Sequence, residues 1–390
     1  MAGSATLEAE WSFLLAACSQ IPRQEKTEHL RQLSRKPIRW KLLFDLAERH
    51  GTRPLLHQAL VELGEMVPAA EMSALRQSYQ TNLHKALFLS RELIQIVDRL
   101  SAVGIEVMPY KGLALAEVAY GDIALRQSGD IDLLIHPQDL PRIRDAVREL
   151  GYTPHLNLSP AEERAYLRSG YECAFDGAAG PNLLEVQWAI QPRFYAIDFA
   201  MDGVFLRAAT VMVAGHAMKT PSPEDLLLIL SAHAAKHVWG RLVWLCDIAR
   251  TMTVTTLNWS WIESQARYLG IMRIVRVSML LANRLLGAAI APAAQAKLGE
   301  DPATVRIVDG LVDEIQSHIA SEATFNVESF EYFQLMLRLR ERPADRLRFL
   351  QRLVFTPGPG EWQAVRLPAA LFPLYRLVRL SRLAARLVRA

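Results

Sequence analysis

A change of hydrophobic period at residue 105 constrains this chain more than any other feature of its sequence. Across 69–102, Leu83, Leu87, Leu89, Leu93, Ile96, Val97 and Leu100 recur every three or four residues, the spacing of one helical face. Gly104 then stands where a helix C-terminus favours left-handed backbone. At Ile105 the rhythm breaks. Residues 105–108 are short and partly alternating, as a strand requires, and a helix over 112–119 follows directly. A second strand is predicted over 131–135 and a second helix over 140–150, closed by Gly151. Further strands fit 171–175, 183–189 and 210–213, with Ala214-Gly215-His216 as a turn. Helical spacing precedes this block at 11–17, 38–49 and 54–63, and resumes after Pro221 through about residue 354. Ser222-Pro223-Glu224-Asp225 opens the second helical block with a cap, a first-turn proline and carboxylates at the positive helix end. The expected fold class is α+β, a small mixed β-sheet core flanked by N-terminal and C-terminal helical regions. The expected units are 1–103, 104–220 and 221–355, then 356–390 as a linker, Thr356-Pro357-Gly358-Pro359-Gly360, and a basic helix.

Composition narrows the function classes. A net charge of +3 over 390 residues is too small for a general nucleic-acid binder. The three cysteines, Cys18, Cys173 and Cys246, form no CxxC pair and no disulfide framework, so reduced thiols in a cytoplasmic protein are expected. The first residues lack a basic region followed by an apolar core, which argues against a secretory signal. The most apolar stretch, 271–292, is interrupted by Arg273, Arg276 and Arg284, so a buried helix is expected there rather than a membrane span.

The residues that carry chemistry lie around the second strand, Asp130-Ile131-Asp132-Leu133-Leu134-Ile135. Strand residues two apart point to one face, which sets Asp130 and Asp132 side by side with about 7 Å between their Cα atoms. Ile131, Leu133 and Ile135 then face the opposite, buried side. Two carboxylates held together repel unless a cation lies between them. Mg²⁺ suits that place because it prefers oxygen ligands and joins carboxylates to phosphates. Glu185, in Leu184-Glu185-Val186-Gln187-Trp188, is a third candidate if its strand lies beside the second. Gly112, at a strand-to-helix turn, lets main-chain N–H groups approach a phosphate, while Lys111 and Arg126 supply positive charge.

On these residues the chain resembles the uncharacterised nucleotidyltransferase family of the polymerase-β-like superfamily. Lys111, Gly112, Tyr120, Arg126 and Asp130-Ile131-Asp132-Leu133-Leu134 match its pattern, as does an acidic residue shortly before Trp188. Glu185 stands where Asp is more usual, Gln187 where His is common, and Lys111 where the wider superfamily has the glycine of a Gly-Ser turn. The likeness extends to Ser222–Leu228, to His233-Ala234-Ala235-Lys236-His237 and to Leu242–Ile248. It implies transfer of a nucleoside monophosphate from an NTP, ATP first among them, to an acceptor it does not name, which is a small molecule, peptide or protein. Pyrophosphate would be released, with Asp130, Asp132 and Glu185 as catalytic and metal-binding residues. It also places His233, Lys236, His237 and Asp247 at the substrate. A nucleotide- or peptide-binding module without turnover is the alternative, supported by Gln187 and Lys111. An RNA-modifying enzyme is a third reading.

His233 and His237 share a helical face. Their three readings are a zinc pair, interhelical hydrogen bonding and a wall of the substrate cleft. After Glu361 the chain has no acidic residue, while Arg376, Arg379, Arg382, Arg386 and Arg389 fall along one helical face. A solvated arginine stripe on a docked helix, a peripheral membrane contact and an anionic partner such as nucleic acid are all compatible with it.

Overall fold

The computed structural model describes residues 7–389 except 157–158, 178–179, 255, 300, 319–328, 358 and 366. Helices Glu8–Cys18, Arg23–Ser34, Trp40–Arg49 and Arg53–Val61 lead into the long helix Ala69–Ala102. Its Leu89, Leu93, Ile96 and Leu100 are buried, and Gly104 just beyond its end adopts φ +69°. Seven strands follow: β1 (Val107–Pro109), β2 (Asp130–Ile135), β3 (Thr153–Pro154), β4 (Glu172–Gly177), β5 (Gly180–Gln187), β6 (Ala209–Val213) and β7 (His216–Thr220). The first five form one sheet in the order β1-β2-β5-β4-β3. Only β2 and β5 run parallel, so the sheet is mixed.

The two faces of β2 behave differently. Ile131, Leu133 and Ile135 join Leu184 and Val186 in a core beneath the long helix. On the other face Leu134 packs with Met108 and Tyr110, leaving Asp130 and Asp132 at the strand's opening end. Helices from both ends of the chain share a separate core, in which Trp11, Phe13 and Leu46 sit in one cluster with Leu227, Leu245 and Val275. The helix Met272–Leu286 is part of that cluster, and among the described residues no helix is long and apolar enough to cross a membrane.

Several elements depart from expectation for visible reasons. The helix Arg23–Ser34 buries only Leu30, so it shows little apolar spacing. Pro160–Ser169 is a helix set by a capping box between Ser159 and Glu162. His216 belongs to β7 rather than to the turn. Ala214 and Gly215 alone make the bend, at φ +48° and +82°, the twist that suits a two-residue hairpin. The stretch 356–360 is not wholly linker, because a helix, Pro359–Ala364, begins within it; Gly358 and Arg366 lie outside the described residues. Trp362 and Tyr375 pack back into the core beneath the sheet. The arginine stripe is corrected in part. Arg379 turns inward, 7 % exposed, donating to the Leu353 carbonyl and lying 3.5 Å from the buried Glu361 carboxylate. The side chains of Arg386 and Arg389 lie outside the described residues.

Candidate active site

A cleft of about 690 Å³ opens at the carboxylate end of β2. Its floor is the sheet and its walls come from both helical regions: Lys85 on the long helix, and His233, Lys236, His237 and Trp244 beyond residue 222. Register brings the expected acids together. Asp132 pairs with Glu185 across the parallel strands β2 and β5, so the two side chains leave the same face on adjacent strands.

Charge in this group is crowded. Burial first, then the neighbouring Asp132, raises the Asp130 carboxyl above the usual range. Burial, Asp132 and Glu172 together push Glu185 up to about 7. Lys111 offsets part of the repulsion, its Nζ lying 3.1 Å from Asp132 Oδ1. Burial alone would discharge Lys111, but Asp132 outweighs it and keeps the ammonium charged. The turn before the helix Gly112–Tyr120 is tight. Gly112 adopts φ +51°, and a Cβ placed there would come within 3.3 Å of the Asp130 carbonyl oxygen.

Two residues absent from the sequence-based site help to build it. Gln187, 1 % exposed, donates through Nε2 to Asp132 Oδ1 at 3.3 Å, to Glu185 Oε2 at 2.8 Å and to Glu172 Oε2 at 3.5 Å. Its carbonyl accepts from the Tyr110 hydroxyl, which fixes the amide's orientation. Glu172 enters because β4 and β5 pair antiparallel with Glu172 opposite Gln187. Burial raises its carboxyl as well. The register of β4 on β5 is the one signal that would have found it, and apolar spacing does not report register.

The remaining candidates divide. Arg126 lines the cleft, but its Nε and Nη2 are engaged by Asp247, at 3.0 Å from Oδ1 and 3.0 Å from Oδ2 respectively. Asp247 is 0 % exposed, also accepts from Tyr120 Oη at 2.8 Å, and does not line the cleft. A direct substrate contact for Asp247 is therefore corrected to a positioning role behind Arg126. His233 and His237 do line the cleft, stacked around Trp244. Burial, with Lys111 close by, drives the His233 imidazole well below its usual range; burial and Lys236 push His237 down to about 3. Both rings are therefore neutral hydrogen-bonding groups rather than cationic phosphate clamps.

Three carboxylates supply the hard oxygen donors that a divalent cation such as Mg²⁺ prefers, and their mutual repulsion is the feature such a cation relieves. Lys111 and Gln187 occupy the Asp132 oxygen, and among the described residues no three His, Cys, Asp or Glu side chains are gathered closely enough to hold a metal as they stand. The donor set fits; its closing requires Lys111 to yield.

A family model described as an uncharacterised nucleotidyltransferase matches residues 36–287. No curated protein matches this chain. Among solved structures, the chain is similar to the solution structure of the antibiotic-resistance factor ANT(2'')-Ia at 15 % identity, covering 62 % of this chain and 95 % of that one. The TM-score is 0.29, too low for the likeness to bear on the fold.

Proposed function

The chain belongs to the uncharacterised nucleotidyltransferase family, and from that premise we propose that it moves a nucleoside monophosphate from an NTP, ATP first among them, to a small-molecule, peptide or protein acceptor at the Asp130–Asp132–Glu185 cleft. The observation that carries this reading is the register that sets Asp132 beside Glu185, with Asp130 on the same strand, above the Gly112 turn. Asp130, Asp132 and Glu185 would hold Mg²⁺, which supplies charge neutralisation and polarises the reacting phosphate when bound. Lys111 and the Gly112 main chain orient the triphosphate. Arg126, held rigid by Asp247, presents positive charge at the cleft wall. The acceptor oxygen bonds to the α-phosphorus while the bond to the α–β bridging oxygen breaks. Pyrophosphate leaves with that electron pair, and the acceptor's proton passes to a cleft carboxylate.

Isothermal titration with each NTP, with and without Mg²⁺, tests the site. Binding should require the metal and vanish in the Asp130→Asn, Asp132→Asn double variant while the fold persists. Undiminished binding in that variant would reject it. The ion pair between Lys111 and Asp132 favours a second reading, a nucleotide-sensing module without turnover. Pyrophosphate release on incubation with α-labelled NTPs and host extract distinguishes the two, since a sensor releases none.

A further inference from the structure

Ser128 differs from every other side chain named in the cleft. It is 9 % exposed, and its Oγ is buried without a hydrogen-bond partner. Holding a hydroxyl in that state costs free energy, and protein interiors rarely retain one unless something completes it. Ser128 lines the cleft, and its Oγ lies 3.8 Å from where a Cβ on Gly112 would stand. Gly112 opens a helix of 9 residues, whose first N–H groups have no intrahelical acceptor. Lys111 precedes the turn, and Lys85 lines the same cleft from the long helix. The groups around this turn are donors and cations, so the ligand that completes them accepts hydrogen bonds and carries negative charge. A phosphate does both.

The carboxylate cluster has two ends, and these decide which phosphate. Glu185 and Glu172 extend it toward β5 and β4. The Gly112 turn and Ser128 lie at the opposite end, against the Asp130 main chain. In-line displacement places acceptor and leaving group on opposite sides of the α-phosphorus. With the acceptor on the Glu185 side, the departing pyrophosphate lies at the Gly112 turn. Resting on the nucleotidyl-transfer reading above, we infer that Ser128 Oγ donates a hydrogen bond to the β- or γ-phosphate of the bound NTP, completing a subsite built on the Gly112 turn.

The full chain and its Ser128→Ala variant, each with Mg²⁺, are titrated with ATP, AMP and inorganic tripolyphosphate, and each is melted without ligand. Loss of a hydrogen bond to a charged oxygen weakens ATP and tripolyphosphate binding by about tenfold or more. AMP affinity stays within about twofold on the same argument, since AMP lacks the contacted group. The unliganded variant melts no lower than the wild type, because the hydroxyl it loses has no partner to give up. Equal ATP affinity in the two proteins overturns the assignment, as does an equal loss for AMP, which would place the contact at the α-phosphate. A lower unliganded melting temperature overturns it too, by showing a structural serine. Absence of ATP binding in the wild type would remove the nucleotidyl-transfer reading and this subsite with it, an outcome distinct from an indifferent variant of a protein that binds.

Discussion

Replacing Asp247 by alanine should unsettle this protein more than most single substitutions, although the residue touches no cleft. Asp247 is 0 % exposed and Arg126 8 %, so neither partner of the ion pair has much water to fall back on. The carboxylate accepts from Arg126 at 3.0 Å and 3.2 Å through Nε and at 3.0 Å through Nη2, and from Tyr120 Oη at 2.8 Å. Truncation leaves a buried guanidinium uncompensated and a buried phenol without its acceptor, which costs about 3–5 kcal/mol. Asp247→Asn keeps one acceptor oxygen and loses the charge, so a smaller cost of about 2 kcal/mol is expected. Urea denaturation followed by tryptophan fluorescence reads both, with the midpoint shifted and the slope unchanged. Adding Arg126→Met to Asp247→Ala should recover much of the loss, since a buried pair replaced by apolar groups is close to neutral. NTP affinity should also fall in Asp247→Asn, because Arg126 loses the partner that holds it at the cleft wall. A destabilisation below about 1 kcal/mol for Asp247→Ala would refute the reasoning, since it is the size expected of a solvated surface pair.

Other perturbations test other links. Gly112→Ala meets both a left-handed backbone at φ +51° and the Asp130 carbonyl oxygen at 3.3 Å; the strain alone costs about 1–2 kcal/mol, and thermal melts with NTP titration should show lower stability and lost binding. Acidification should act through His50, whose imidazole burial pushes down to about 4 while its Nδ1 accepts from the Leu242 N–H. A depressed folded-state value means the neutral ring is favoured by folding, so its contribution is complete above the unfolded value of about 6.5 and is lost as pH falls from there toward 4. Glu185 titrates with the opposite sign, gaining stability as pH falls from about 7 toward 4.5, so the quantity to measure is the stability of the wild type minus that of His50→Gln across this range. A difference independent of pH would refute the assignment. Finally, Glu361→Ala removes the carboxylate that lies 3.5 Å from both Arg379 and Arg382. It should raise the rate of proteolytic cleavage near the C-terminal helix Tyr375–Arg389 without altering NTP affinity.

Much of the sheet is legible in the sequence because its signal is local. Alternation at Ile131, Leu133 and Ile135 names the buried face of β2, and by exclusion it aims Asp130 and Asp132 at the other. The long helix Ala69–Ala102 is legible for the same reason, since its period survives over nine turns or so. What escapes is whatever depends on pairing between distant segments. The parallel register that sets Asp132 beside Glu185 is a fact about two strands 53 residues apart, and it enters the sequence reading only as a condition. Gln187 as a shared donor and Glu172 as a fourth acid both follow from β4 on β5, which no periodicity encodes. Asp247 illustrates the error most clearly. A lone acid on a helix near a cleft invites a substrate role, whereas its true neighbour, Arg126, lies 121 positions away and absorbs it entirely. The arginines after Glu361 mislead in the same manner, because helical spacing reports a shared face but not whether that face meets solvent or Glu361.

The most direct measurement is anomalous diffraction from crystals grown with Mn²⁺ and a non-hydrolysable NTP. A peak is expected within about 2.2 Å of carboxylate oxygens from both Asp130 and Asp132, with Lys111 Nζ withdrawn from Asp132 and the nucleotide's phosphates at the Gly112 turn. Metal and nucleotide bound elsewhere, with the Lys111–Asp132 pair intact beneath them, would contradict the account.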